Sequence, residues 1–123
     1  MLNSITLMGR LTRDPELRMT QNGTPVTTFT LAVERDGNRE QTDFVDCVAW
    51  RKTAEVVSKW FAKGALMAVQ GSLQSRKWTD KNDVKRTAWE VQVGSVWFCG
   101  KKETFTEKET FTESEDDEEE IPF

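Results

Sequence analysis

Histidine is absent from this chain, and cysteine occurs only at Cys47 and Cys99, far apart and without Cys-x-x-Cys spacing. Those gaps remove much of the chemistry open to a small protein. Zinc sites are built from closely spaced Cys and His, and Ser or Cys nucleophiles usually need an imidazole base. Neither is expected here, nor is any cofactor or catalytic residue. Cys47 reads as a small core residue rather than a reactive thiol. No window reaches the ~18 consecutive apolar residues of a membrane helix. Met1-Leu2-Asn3-Ser4 opens without the charged and apolar regions of a signal peptide, so a cytoplasmic location away from membranes is expected. The 123 residues fit one domain and a tail, with a modest core that oligomerisation would extend.

Charge is plentiful but segregated. Residues 1–102 hold 16 Lys/Arg against 11 Asp/Glu, a net of +5, whereas residues 103–123 hold one Lys against 10 acids, a net of −9. A basic body with an acidic leash points to a polyanion binder that carries a tethered competitor or partner hook. A solubilising tail is the plain alternative. Glu103–Lys108 and Glu109–Ser114 form a six-residue repeat, Glu-Thr-Phe-Thr-Glu-x. Such polar, acid-rich sequence cannot bury enough apolar surface to offset its ordering entropy, so 101–114 is expected to be a flexible linker. Residues 115–123 end in Asp116-Asp117-Glu118-Glu119-Glu120-Ile121-Pro122-Phe123, acids closing on three apolar residues, a pattern suited to a partner-binding tip.

Residues 1–100 read as strands with one helix. Ile5–Leu11 alternates and stops at the turn signal Thr12-Arg13-Asp14-Pro15, and Gln21–Pro25 is a second turn. Val26–Glu34 places Phe29, Leu31 and Val33 on one face and Thr28, Thr30 and Ala32 on the other. Asp36-Gly37 favours a tight hairpin in which both residues tolerate positive φ, returning along Thr42–Trp50. A helix follows: Thr53 can cap its start, Val57, Trp60 and Phe61 make an apolar stripe, and Gly64 suits a left-handed position just past its end. Leu66–Lys77 and Arg86–Cys99 are two further strands about the polar loop Thr79–Asp83. Three strands, a helix and two strands is the order of a five-stranded oligonucleotide-binding (OB) barrel, an all-β fold with one helix. Other small β-barrels share the pattern.

The strand Asp43–Trp50 carries the functional signal. Alternation sends Val45, Cys47 and Ala49 one way as compact core types, and Phe44, Asp46, Val48 and Trp50 the other. On an open face, Phe44 and Trp50 are platforms for stacking bases, with Arg51 and Lys52 directly after them. A second cluster is Arg76-Lys77-Trp78, with Lys81, Lys85 and Arg86 beyond. Aromatics interleaved with cations suit single-stranded nucleic acid, because every base has a π-face and every linkage a phosphate. Trp60 belongs to the helix stripe and the core. Trp89 and Trp97 share a face with Val91 and Val93, which favours core or subunit interface, although Gly94-Ser95 can form a bulge that switches faces. Arg10, Arg13 and Arg18 are either a basic edge or solubility charges. Asp46 counts against binding unless a cation offsets it.

Over nearly its whole length this body resembles bacterial single-stranded DNA-binding proteins. The resemblance rests on Asp14-Pro15-Glu16 with Arg18, Asn22-Gly23, Phe44–Lys52, Lys63-Gly64, Val69-Gln70-Gly71, Arg76–Asp80 and Glu90-Val91, together with the acidic Ile121-Pro122-Phe123 ending. It implies an OB barrel assembling as a homotetramer, without catalysis, that coats single-stranded DNA in replication, recombination and repair near the nucleoid. It places Phe44, Trp50 and Trp78 at stacking positions and Lys52, Arg76 and Lys77 on the DNA path, with Arg51, Arg86 and Arg13 as further basic candidates. It makes residues 116–123 the contact for partner enzymes. The chain departs from the family at Val33-Glu34-Arg35-Asp36-Gly37, where members often carry another stacking aromatic. Three rivals remain open on sequence: an RNA-binding OB protein, an adaptor for acidic proteins, and a metal-dependent nuclease using Asp43, Asp46 and Glu90.

Overall fold

A computed structural model describes residues 1–100 of the chain, apart from the Arg39 side chain. The expected linker 101–114 and acidic tip 115–123 therefore lie outside the described residues. The elements are β1 (Ile5–Leu11), β2 (Arg18–Met19), β3 (Pro25–Arg35), β4 (Asn38–Trp50), α1 (Arg51–Trp60), β5 (Leu66–Thr79) and β6 (Lys85–Phe98). The sheet order β1-β5-β6-β4-β3 is closed by β1 pairing β3 at Arg10↔Ala32 and Leu11↔Leu31, which makes the five-stranded barrel. β2 is a two-residue addition on the far side of β3, at Arg18↔Val26 and Met19↔Pro25. Two residues carry no periodicity, so the sequence pattern gives no sign of it. All pairings are antiparallel except β4 with β6, which run parallel over Cys47–Ala49 and Val91–Val93.

The interior is filled from every wall, by Leu11, Phe29, Leu31, Cys47, Ala49, Met67, Val69, Val91 and Val96. From α1, Ala54, Val57 and Trp60 close one end, followed by Phe61, whose ring lies 5.9 Å from that of Phe98. Each fully buried large side chain of this kind contributes roughly 1.5–3 kcal/mol of transfer free energy. The single buried polar side chain among the described residues, Thr27, donates its hydroxyl to the Glu16 carbonyl at 2.8 Å, which ties the β1–β2 connection to β3. Gly71 is required by close approach: a Cβ there would stand 1.9 Å from the Gln92 carbonyl oxygen across the β5–β6 ladder. Opposite it, Gln70↔Ser95 is followed by Gly71↔Val93, so Gly94 is the extra residue of a bulge. Val91 and Val93 face inward before the bulge and Val96 after it. The face switch that Gly94-Ser95 suggested is present.

Three local expectations change. The helix begins at Arg51, with Trp50 as an N-cap that offers no side-chain bond, so Thr53 lies inside the first turn and does not cap it. Gly64 does take a positive φ of 87°, but in a separate turn where the Ala65 amide bonds the Ala62 carbonyl, because the helix has already ended at Trp60. At the β3–β4 hairpin only Gly37 takes a positive φ (77°), and Asp36 does not.

Burial pushes the Cys47 thiol up to about 12, with the nearby Asp46 charge adding to the effect. A thiol raised in the folded state favours folding below its ordinary value near 9, and that contribution fades as pH climbs toward 12. Cys99 is exposed. A maleimide at pH 8 is therefore expected to label one thiol per native chain, Cys99, and to reach Cys47 only after unfolding. Mass spectrometry of the labelled peptides reads this directly.

Candidate nucleic-acid interface

β4 delivers the first two aromatics. Phe44 is 68% exposed and Trp50 43%, while Cys47 and Ala49 on the opposite face are fully buried. Val48 departs from expectation: it shares the outer face with Phe44 and Trp50 yet is buried. The reason is its place in the sheet, between Thr28 of β3 and Gln92 of β6, where strands flank it on both sides. Pairing with β6 covers only Cys47–Ala49, so Phe44 stands beyond the neighbouring strand and remains open.

Trp50 occupies a sharp junction. The strand passes straight into α1, and the connection is made by Arg51 at φ 55°, the left-handed region that a side chain normally avoids. Such a residue carries roughly 1–2 kcal/mol of strain, and the junction fixes where the Trp50 indole leaves the sheet. Replacing Arg51 with glycine is expected to stabilise the fold by about 1 kcal/mol, seen as a higher urea midpoint. A lower midpoint would mean that the Arg51 side chain contributes more than its backbone costs.

From β5 and β6 come Arg76, Trp78, Glu90 and Gln92, which share one face of the ladder through Gln74↔Glu90, Arg76↔Ala88 and Trp78↔Arg86. Trp78 is 43% exposed. A chain of polar contacts joins this face to β4. The Trp50 indole N–H donates to Gln92 Oε1 at 3.0 Å, Gln92 Nε2 donates to Glu90 Oε2 at 3.3 Å, and Glu90 Oε1 lies 3.7 Å from Arg76 Nε. Sequence pattern gives no sign of this relay, since its members come from three strands that pair only in the closed barrel and Gln92 has no distinctive neighbours. Gln92→Leu is expected to release the indole and weaken oligonucleotide binding two- to tenfold, the usual worth of one such bond, with the salt dependence unchanged. A changed salt slope would show instead that the substitution had disturbed Arg76.

A polar cleft of about 260 Å³ lies beside the relay, lined among others by Arg13, Thr30, Asp46, Arg76 and Glu90. Arg13 thus lines the same cleft as Arg76 despite their separation in sequence. The Thr30 hydroxyl donates to Asp46 at 3.0 Å, a neutral partner for that carboxylate, with both arginines along the same cleft. Lys52 is exposed in the first turn of α1. Arg86 is engaged: its guanidinium lies 2.8 Å from Asp80, whose carboxyl it holds below the usual carboxylate range, helped by the amides of Val84 and Asn82. Lys77 alternates to the reverse face of the ladder, away from Arg76 and Trp78. A larger depression of about 810 Å³ between β1 and the β3–β4 hairpin gathers none of these residues.

Asp43 is bound by Arg35 at 2.9 Å, a contact that lowers its proton affinity, and it points away from Asp46. Among the described residues no three His, Cys, Asp or Glu side chains are grouped as metal ligands. No helix among them is long and apolar enough to cross a membrane.

Comparison with known proteins places the chain among a defined set. The model of the single-strand binding protein family matches residues 2–99. Single-stranded DNA-binding protein A of Bacillus subtilis is 48% identical over 107 residues, covering 83% of this chain and 62% of that relative. The single-stranded DNA-binding protein of Caldanaerobacter subterraneus subsp. tengcongensis is 44% identical over 109 residues, covering 85% of this chain and 73% of its own. Single-stranded DNA-binding protein 1 of Staphylococcus aureus is 45% identical over 109 residues, covering 85% and 69%. The match therefore spans a little under two thirds of the B. subtilis protein and somewhat more of the other two.

Proposed function

The chain belongs to the single-strand binding protein family, and on that premise we propose that it binds single-stranded DNA without reading sequence and protects it during replication, recombination and repair. The observation that carries this reading is the exposed face on which Trp50 and Trp78 flank Arg76 and the Gln92–Glu90 relay. Indole faces accept any base, and guanidinium and ammonium groups meet the phosphates between them. Phe44 extends the stacking surface along β4. Lys52, Arg51 and Arg13 add positive charge around it, Arg76 lies on the DNA path between the indoles, Lys77 adds a DNA-binding charge from the reverse face of the ribbon, and Arg86 contributes once Asp80 yields. No chemical step is required: binding and release are the activity.

The acidic segment Asp116–Glu120 with Ile121, Pro122 and Phe123 recruits DNA-processing enzymes, the Phe ring entering an apolar pocket of the partner. The barrel works as a homotetramer, in the cytoplasm and on the nucleoid. The reading is tested by competition: labelled oligo-dT bound to the full chain is challenged with single-stranded DNA of mixed sequence, RNA and duplex DNA. Mixed single strands should displace it at concentrations close to those of oligo-dT, and duplex poorly. Preferential displacement by RNA would make the chain an RNA binder, since stacking does not itself read the 2′-hydroxyl.

A further inference from the structure

The β5–β6 ladder runs well past the barrel. β1 leaves β5 at Ile5↔Gly71, after which only the Asn3 side chain reaches across, bonding the Leu73 amide and carbonyl at 3.0 and 2.9 Å. β4 meets β6 no further out than Cys47↔Val91. From Gln74 to Thr79 and from Lys85 to Glu90, then, the ribbon has no strand on either edge among the described residues. One of its faces is the interface described above. The other carries Leu73, Ser75 and Lys77 from β5 and Lys85, Thr87 and Trp89 from β6.

Trp89 is the feature of that reverse face. The sequence pattern assigns it to core or subunit interface because it shares a face with Val91 and Val93. In the structure Val91 is sealed inside the barrel, while Trp89, one step further out, is 59% exposed. Its indole N–H has no hydrogen-bond partner among the described residues, and Lys77 and Lys85 have no ion pair there. None of the six residues is a carboxylate. Lys77 stands diagonally across from Trp89, whose direct partner is Ser75, within reach of the same ligand. An open indole with two unpaired ammonium groups further out along the same face, Lys77 one pair beyond it and Lys85 two, matches a base followed by the phosphates of the adjoining strand. This patch packed on its own two-fold copy fits less well, because four lysines would be gathered in one contact with no carboxylate of the patch to offset them.

We propose that the reverse face of the ribbon is a second contact for single-stranded DNA, with a base stacked on Trp89 and phosphates on Lys77 and Lys85. One strand then passes from the Trp50–Trp78 face over the open edge and grips the ribbon on both sides. The inference rests on the proposed binding of single-stranded DNA, and its test separates the two.

The full-length chain is titrated with oligo-dT of about 30 nucleotides, long relative to the contact of one OB domain. Trp89→Ala should weaken binding about five- to tenfold, and Trp89→Phe should recover most of the loss, the signature of a stacking platform. Lys77→Ala should make the slope of log K against log salt shallower by about 0.7. Independently of any variant, ultraviolet crosslinking of the unaltered chain to oligonucleotides carrying 5-iododeoxyuridine should attach at Trp89 as well as at Trp50 or Trp78. Unaltered affinity in Trp89→Ala, with crosslinks confined to Trp50 and Trp78, would overturn the second contact and leave the proposed function standing. A change of sedimentation in Trp89→Ala at unchanged affinity per chain would overturn it in favour of a subunit interface. Failure of the unaltered chain to bind oligo-dT would remove both.

Discussion

Replacing Trp50 and Trp78 together with alanine is expected to lower the affinity for oligo-dT by roughly 30-fold or more while the barrel stays folded. The magnitude follows from about 1–3 kcal/mol per stacked base, a range that belongs to single-strand binders of this very family as a group. Both side chains are exposed, and neither belongs to the cluster that fills the barrel, so the loss should fall on binding and not on stability. Circular dichroism and urea unfolding provide the control. If the double variant unfolds with a much lower midpoint, the two indoles hold the sheet together and are not platforms. If it folds and binds like the unaltered chain, stacking is carried elsewhere.

The second large effect concerns the acidic segment. Phe123→Ala removes one aromatic ring but leaves all ten acids of residues 103–123 in place. DNA affinity and its salt slope should stay where they were, since the charge and the barrel are untouched. Association with DNA-processing partners should fall by ~2 kcal/mol or more, a loss of about 30-fold, because one buried aromatic anchor commonly dominates so small an interface. Attraction of partners by charge alone predicts nearly intact association. Pull-downs from bacterial lysate at matched salt, comparing the two chains, distinguish these outcomes; equal yields of the same partners would reduce the segment to a solubility element.

Much of the barrel is legible in the sequence because its long strands are two-sided. In β3, Phe29 and Leu31 alternate with Thr28 and Thr30, and half-burial gives that pattern directly. Apolar Val57, Trp60 and Phe61 likewise mark the buried side of the helix and its exit. What alternation cannot give is where the core stops. Alternation alone predicts neither the burial of Val48 nor the exposure of Trp89 within one chain, and for one reason: coverage depends on how many strands lie alongside. Val48 has a strand on each side, and Trp89 lies on a ribbon that has outrun its neighbours. The start of α1 is hidden differently. Arg51 at positive φ lets the chain turn from strand into helix with no loop and no capping side chain, which no propensity anticipates. In the interface, adjacency in sequence misleads at Lys77, which alternates away from Arg76 and Trp78. The Trp50–Gln92–Glu90–Arg76 relay and the sharing of one cleft by Arg13 and Arg76 depend on barrel closure, which is a long-range property.

Under the proposed function, one face of this barrel combines stacking with phosphate attraction, and a titration followed by intrinsic tryptophan fluorescence tests both. Titration with oligo-dT across salt concentrations should quench emission as bases stack. It should also give a log K that falls linearly with log salt, by about 0.7 for each phosphate neutralised. Absence of quenching and of measurable affinity, even at about 50 mM salt where such binding is strong, would contradict that assignment.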